Sequence, residues 1–136
     1  MAFFGNRTYL VVGASKNPEK YGYKVLKWYL DRNLNVVPIN PTTPEVLGAK
    51  TKSSILEALA NGHEYSLSVI TPPDVSYNSL KEVLESVKGD LVKSIWFQPN
   101  SYDEKLISYL NKKGFYKNKG NLIYNDCILV SGDSKI

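Results

Sequence analysis

The sequence predicts an α/β fold, an open parallel five-stranded sheet with helices on both faces, and three observations carry that prediction. Short β-branched runs alternate with segments of helical periodicity, a pattern that builds a parallel sheet joined by right-handed crossovers. Glycine or proline stands at most junctions between them, where the chain has to turn. No internal repeat, low-complexity stretch or linker breaks the alternation, so residues 1–136 read as one domain.

The first unit, from Thr8 to Leu30, is a strand, a small-residue loop and an amphipathic helix. Thr8-Tyr-Leu-Val-Val12 is extended and apolar, Gly13 permits a sharp turn, and the N–H groups of the next helix attract negative charge. Leu34-Asn-Val-Val-Pro-Ile-Asn40 is the second strand, ended by Pro41 and Pro44. Ser54-Ile-Leu-Glu57 has capping-box spacing at the head of a short helix that stops by Gly62.

Ser66-Leu-Ser-Val-Ile70 is the third strand; Thr71-Pro-Pro-Asp74 bars its continuation and offers Asp74 as a helix cap. Leu80, Val83, Leu84 and Val87 then follow the spacing of one buried helical face, with Gly89 as its stop. Leu91 to Phe97 is the fourth strand. Ser101-Tyr-Asp-Glu104 reads as a second capping box, before a helix that turns Leu106, Ile107 and Leu110 inward and ends at Gly114. Leu122 to Val130 is the fifth strand, with an interruption near Asn125-Asp126.

Composition narrows the function. The net charge of +4 comes from lysines dispersed over the whole length, which suits a solvated surface rather than a nucleic-acid footprint. No apolar run approaches the roughly 20 residues of a membrane span. A single cysteine, Cys127, excludes an intramolecular disulfide and any metal site of paired cysteines, and makes a reducing compartment the default. Met1-Ala-Phe-Phe-Gly-Asn-Arg7 lacks the features of a secretory signal, so a cytoplasmic location is expected. Ser134-Lys-Ile136 approaches the peroxisomal Ser-Lys-Leu ending but differs in its last residue.

In open parallel sheets ligands bind beyond the carboxyl ends of the strands, where strand order reverses. That directs attention to residues 13–20, 40–43, 71–74 and 98–101. Gly13, Ala14 and Ser15 are small enough to let phosphate oxygens reach the backbone, Ser15 adds a hydroxyl, and Lys16 and Lys20 supply charge. The same small residues also suit any tight strand-to-helix turn, and the spacing matches neither Gly-x-Gly-x-x-Gly nor Gly-x-x-x-x-Gly-Lys-Ser/Thr.

Asn40, followed by Pro41, stands where an NAD-binding protein usually carries Asp or Glu for the ribose 2′-hydroxyl, which disfavours NAD. Its amide suits a ribose or adenine, and Asn-Pro equally makes a plain turn. Thr71 and Pro72 offer a rigid wall beside a base, or simply end the strand. Trp96, in mid-strand, reads as core, and Gln98 at the strand end as the polar contact. No catalytic residue or metal ligand is assigned: His63 reads as a surface turn residue, Cys127 as an inert buried thiol, and Asp74 with Asp126 as no acid–base pair.

Taken in order, Val12-Gly-Ala-Ser-Lys-Asn-Pro-Glu-Lys20, Val36-Val-Pro-Ile-Asn-Pro41, Glu45-Val-Leu-Gly48, Ser53-Ser54, Thr71-Pro-Pro73 and Trp96-Phe-Gln98 resemble the small stand-alone CoA-binding proteins. These are similar to the N-terminal CoA-binding domain of the succinyl-CoA synthetase α subunit. The resemblance implies a Rossmann-like domain in which the Gly13-Ala14-Ser15 loop meets the CoA phosphates, the Asn40-Pro41 turn lies near the ribose, and the Pro72-Pro73 turn flanks adenine, with Thr71 and Pro72 among the expected contacts. Three positions depart from the family pattern. Thr42 and Thr43 replace a lysine suited to the ribose 3′-phosphate, Pro99-Asn100 follows Gln98 in place of a Leu-Gly-like turn, and Asp126-Cys127 is followed by Ile128 rather than Pro. The synthetase's phosphorylated histidine has no counterpart motif, so its activity does not carry over.

The expected function is non-catalytic binding of CoA, acyl-CoA or a related adenine nucleotide, with that small molecule as the partner. Two alternatives stand beside it. One is an NADP-linked or CoA-thioester enzyme that uses Cys127. The other is an interaction protein that has lost its ligand and self-associates as a homo-oligomer, for which an apolar face around Trp28 and Tyr29 could serve, although those two read rather as helix core and rim.

Overall fold

A computed structural model describes residues 3–136; Met1 and Ala2, the start of the N-terminal segment read above, lie outside the described residues. The elements in chain order are β1 (Thr8–Val12), α1 (Tyr21–Asp31), β2 (Val36–Ile39), β3 (Glu45–Val46), β4 (Ala49–Lys50) and α2 (Ile55–Ala58). They continue with β5 (Tyr65–Val69), α3 (Pro73–Leu84), β6 (Val92–Phe97), α4 (Glu104–Lys112), β7 (Leu122–Ile123) and α5 (Ile128–Ser131). Five strands form one parallel sheet in the order β2-β1-β5-β6-β7, the predicted Rossmann-like α/β plan. Strand order reverses between β1 and β5.

The alternation of side chains along each strand divides the core into two layers. Leu10, Val12, Leu67, Val69, Ile95 and Phe97 face one side, under α2, α3 and α4. Tyr9, Val11 and Trp96 face the other, under α1 and α5. On that second side β5 presents only Ser66 and Ser68, whose small size leaves depth for large aromatic rings. Tyr29 fills it, its hydroxyl 2.6 Å from Ser68 Oγ and its ring stacked on Tyr9. Burial holds the Tyr29 phenol far above the ordinary tyrosine range, so it stays neutral.

Trp28 and Tyr29 are core residues rather than a docking face: both are buried, with Phe4 packed on Trp28 at 5.8 Å and the C-terminal segment beside it. The fifth strand is also shorter than predicted. It ends at Ile123; Asn125 turns the chain with a φ of 61°, and residues 128–131 coil into α5, where Val130 and Ser131 both donate to the Cys127 carbonyl. Cys127 consequently precedes a helical turn instead of lying in a strand.

Helix boundaries move in three places. α3 stops at Leu84, leaving Val87 fully exposed rather than on the buried stripe. It begins at Pro73 with Pro72 as its cap residue, so Asp74 sits inside the first turn. α4 is capped by Asp103, whose carboxylate accepts from Leu106 N at 2.9 Å, while Ser101 Oγ turns away to donate to the Gln98 carbonyl. At α2, Ser54 caps as expected by accepting from Glu57 N.

The antiparallel β3–β4 hairpin, absent from the predicted elements, folds the chain back onto β2. Asn40 N donates to the Lys52 carbonyl at 2.9 Å, and Lys52 N donates to the Pro38 carbonyl at 3.0 Å. No helix among the described residues is long and apolar enough to cross a membrane.

Candidate functional site

At the carboxyl ends of β1, β2 and β5 the reversal of strand order opens a cleft of about 160 Å³. Gly13, Ala14, Asn40, Pro41 and Thr71 all line it, so the structure brings five predicted positions to one place. Three features hold it together. Gly13 has a φ of 101°, and a Cβ there would meet Thr71 Cγ2 at 3.0 Å, so only glycine lets the β1 and β5 ends converge. Asn40 Nδ2 donates to the Ala14 carbonyl at 2.8 Å while its Oδ1 accepts from Thr42 N and Thr43 N, which shapes the Asn-Pro turn. Ser76, fully buried on α3, donates to the Thr71 carbonyl at 2.8 Å and lies 2.7 Å from the Thr71 hydroxyl, fixing the third wall.

The loop from Ser15 to Lys20 forms the rim. Ser15 Oγ accepts from Asn17 N and Asn17 Oδ1 accepts from Glu19 N, two side-chain turns that carry the chain into α1. Lys16 and Lys20 are exposed there, and α1 starts without a capping side chain or an acidic residue in its first turn. No side chain of its first turn offsets the positive end of this helix dipole. The N–H groups of Gly13 and Ala14 are already directed at the Ile39 carbonyl. These two N–H groups are therefore not free for an anion.

Gly22, which sequence reasoning passed over, proves central to this geometry. A Cβ on it would lie 2.1 Å from the Gly13 carbonyl oxygen and 3.0 Å from Ser15 N, so the first turn of α1 rests directly on the β1–α1 loop. A glycine inside a helix costs about 1 kcal/mol relative to alanine, and that cost was the available signal.

The remaining predicted residues sit elsewhere. Ser15 and Lys16 lie on the rim, and Pro72 is exposed at the head of α3, outside the cleft lining. Gln98 is only 2% exposed, and both ends of its amide are engaged: Nε2 donates to Cys127 Sγ at 3.1 Å and Oε1 accepts from Ile128 N at 2.9 Å. It braces α5 against the end of β6 and faces no ligand space. Trp96 is buried as expected, its indole N–H donating to the Asp126 carbonyl. His63 is exposed in the turn before β5.

From the α2 and α3 sides the cleft gains Ser53, Ser54, Ile55, Val75, Ser79 and Glu82. Glu57 stands behind this wall, its carboxyl held below the ordinary range by hydrogen bonds from the Ser53 hydroxyl and N–H. Larger depressions, such as one of about 520 Å³ between the N-terminal aromatics and the segment after β7, lie away from the strand-order reversal.

A model of the CoA-binding domain matches residues 7–133. The chain belongs to the CoA-binding domain family. Among curated relatives, this CoA-binding domain is 32% identical over 89 residues to an ADP-forming acetate–CoA ligase from Methanocaldococcus jannaschii, a match that covers 64% of the chain and 12% of the ligase. It is 29% identical over 104 residues to the uncharacterized protein YneT of Bacillus subtilis, covering 76% of the chain and 73% of YneT. Among solved structures, a conserved hypothetical protein from Pyrococcus furiosus superposes with a TM-score of 0.77 at 34% identity, covering 92% of the chain and 98% of that protein. A hypothetical protein from Pyrococcus horikoshii OT3 gives 0.79 at 25% identity, covering 98% and 86%. The CoA-binding domain therefore has both full-length structural counterparts and a counterpart inside a much longer ligase.

Proposed function

We propose that this chain binds CoA, or an acyl-CoA, without transforming it. The adenosine end occupies the strand-end cleft and the diphosphate crosses the rim from Ser15 to Lys20. The observation that carries this reading is the convergence of Gly13, Ala14, Asn40, Pro41 and Thr71 on one cleft, at the reversal of strand order, in a member of the CoA-binding domain family. Pro41, Val75 and Ile55 supply apolar walls for a base, and the start of α1, with no acidic residue in its first turn, supplies attraction for phosphate.

A non-catalytic role is favoured by the surroundings of Cys127. Its sulfur accepts a hydrogen bond from the Gln98 amide, a group unable to take up a proton at neutral pH. The matched segment is 12% of the acetate–CoA ligase, so the ligase reaction does not transfer with it. A cytoplasmic site of action, with a small-molecule nucleotide as partner, belongs to the same reading.

Calorimetry and thermal unfolding with CoA, acetyl-CoA, dephospho-CoA, NADP, NAD and ATP test it. CoA and acetyl-CoA at a hundredfold excess over their dissociation constants raise stability by about 2.7 kcal/mol. Comparing CoA with dephospho-CoA shows how far Thr42 and Thr43 serve the 3′-phosphate. The absence of binding by CoA and acetyl-CoA would overturn the proposal.

A further inference from the structure

Val75, Ser79 and Glu82 follow one another at i, i+4 and i+7 on α3, and all three border the cleft. Val75, 44% exposed although apolar, gives a flat surface for a ring, and the two polar side chains stand in line beyond it.

The hydrogen-bonding capacity of the other polar side chains is largely committed to the protein. The Asn40 amide bonds Ala14, Thr42 and Thr43. The Thr71 hydroxyl bonds Ser76, Ser54 Oγ accepts from Glu57 N, and Ser53 Oγ donates to Glu57 Oε2. Ser79 and Glu82 are the lining polar side chains that bond no other described residue. A carboxylate accepts and does not donate, whereas a hydroxyl does either. Their sequence along the helix therefore presents an acceptor beside a donor-capable group, a pair complementary to an exocyclic amine next to a ring nitrogen.

We propose, resting on the adenosine reading above, that Glu82 and Ser79 select the base. Glu82 accepts from the 6-amino group of adenine, and Ser79 donates to the adjacent ring nitrogen. A 6-oxo purine is rejected because its carbonyl oxygen would oppose the Glu82 carboxylate, acceptor against acceptor. Glu82 is thus a specificity residue at the far end of the cleft from the phosphates, where its negative charge does not oppose them.

Calorimetry of the full chain with ADP and IDP, which differ only at this edge of the base, tests the assignment, with CoA titrated in parallel. The unsubstituted chain is expected to prefer ADP by about 10- to 100-fold. Glu82→Gln, whose amide can donate to a 6-oxo group, brings the two affinities to within a few fold, with unchanged unfolding because the Glu82 carboxylate bonds no other described residue. Equal affinity of the unsubstituted chain for ADP and IDP, or a ratio unchanged by Glu82→Gln, overturns the base assignment while CoA binding leaves the underlying reading intact. Tighter binding of GDP than ADP overturns it as well. Failure of both CoA and ADP to bind overturns the two together.

Discussion

Asn40 Nδ2 donates to the carbonyl oxygen of Ala14 across 2.8 Å, tying the end of β2 to the loop that leaves β1. Asn40→Asp keeps the shape of the side chain but turns this donor into an acceptor facing a carbonyl. The expected cost is about 1–3 kcal/mol of stability, the range for a buried or half-buried polar group left without its partner. CoA affinity falls with it, because the added charge borders the cleft. Urea unfolding and calorimetry measure the two effects, and a stability equal to that of the unsubstituted protein would show the cross-link to be dispensable.

Gly22→Ala improves the intrinsic helix propensity of α1 by about 1 kcal/mol yet is expected to destabilise the protein. The new methyl carbon would fall 2.1 Å from the Gly13 carbonyl oxygen, so α1 has to lift from the β1–α1 loop. A net loss of about 1–3 kcal/mol follows from such overpacking, lowering the melting temperature by about 4 °C per kcal/mol. Calorimetric melting decides it, and a raised melting temperature would refute the packing account.

Gln98→Leu separates a bracing role from a ligand contact. The substitution leaves Ile128 N without its acceptor and Cys127 Sγ without its donor, for an expected cost of about 1–3 kcal/mol. CoA affinity is expected to stay the same. A tenfold weaker affinity in a protein that still unfolds cooperatively would return Gln98 to the binding site.

Arg32 makes a two-pronged contact with Asp133, at 2.7 and 3.0 Å, and holds the C-terminal segment against α1. The Arg32 hydrogen bond keeps the Asp133 carboxyl below the ordinary carboxylate range. A carboxyl whose folded pKa is depressed contributes stability above its unfolded pKa of about 3.9 and loses it as pH falls through the folded value. Hydrogen exchange at the Lys135 amide, which donates to Gly132, is expected to accelerate as pH falls below about 4, relative to its intrinsic rate. In Asp133→Asn that relative protection is already low at neutral pH and does not change over the same interval. An acid-labile segment in the variant would assign the effect to another group.

The sheet was legible because β-branched runs and helical stripes have different periods, and Leu10, Val12, Leu67 and Val69 took the layer their alternation requires. The cleft was partly legible for a topological reason: Gly13, Asn40 and Thr71 each end a parallel strand, and strand ends meet where order reverses. Glu82 and Ser79 were not, since residues in the middle of a surface helix carry no local mark of the cavity they border. Gln98 misled because a polar residue after a strand suits a ligand or a neighbouring segment equally. Only the helical turn after Cys127, hidden in an apolar run that reads as strand, decides between them. Ser101 misled similarly: its spacing to Glu104 imitates a capping box, while Asp103 stands closer to the helix and accepts its N–H bond.

Both margins of the sheet offer little backbone for strand addition. On β2 the carbonyl of Pro38 and the N–H of Asn40 are taken by Lys52, and Pro38 itself has no N–H to offer. β7 pairs through only two residues before Asn125 turns the chain aside. Among the described residues neither edge offers a long run of free backbone for another strand to pair with, the feature that makes exposed strand edges prone to aggregation. Short, partly occupied edges of this kind disfavour edge-to-edge association and steer self-association toward helices or loops.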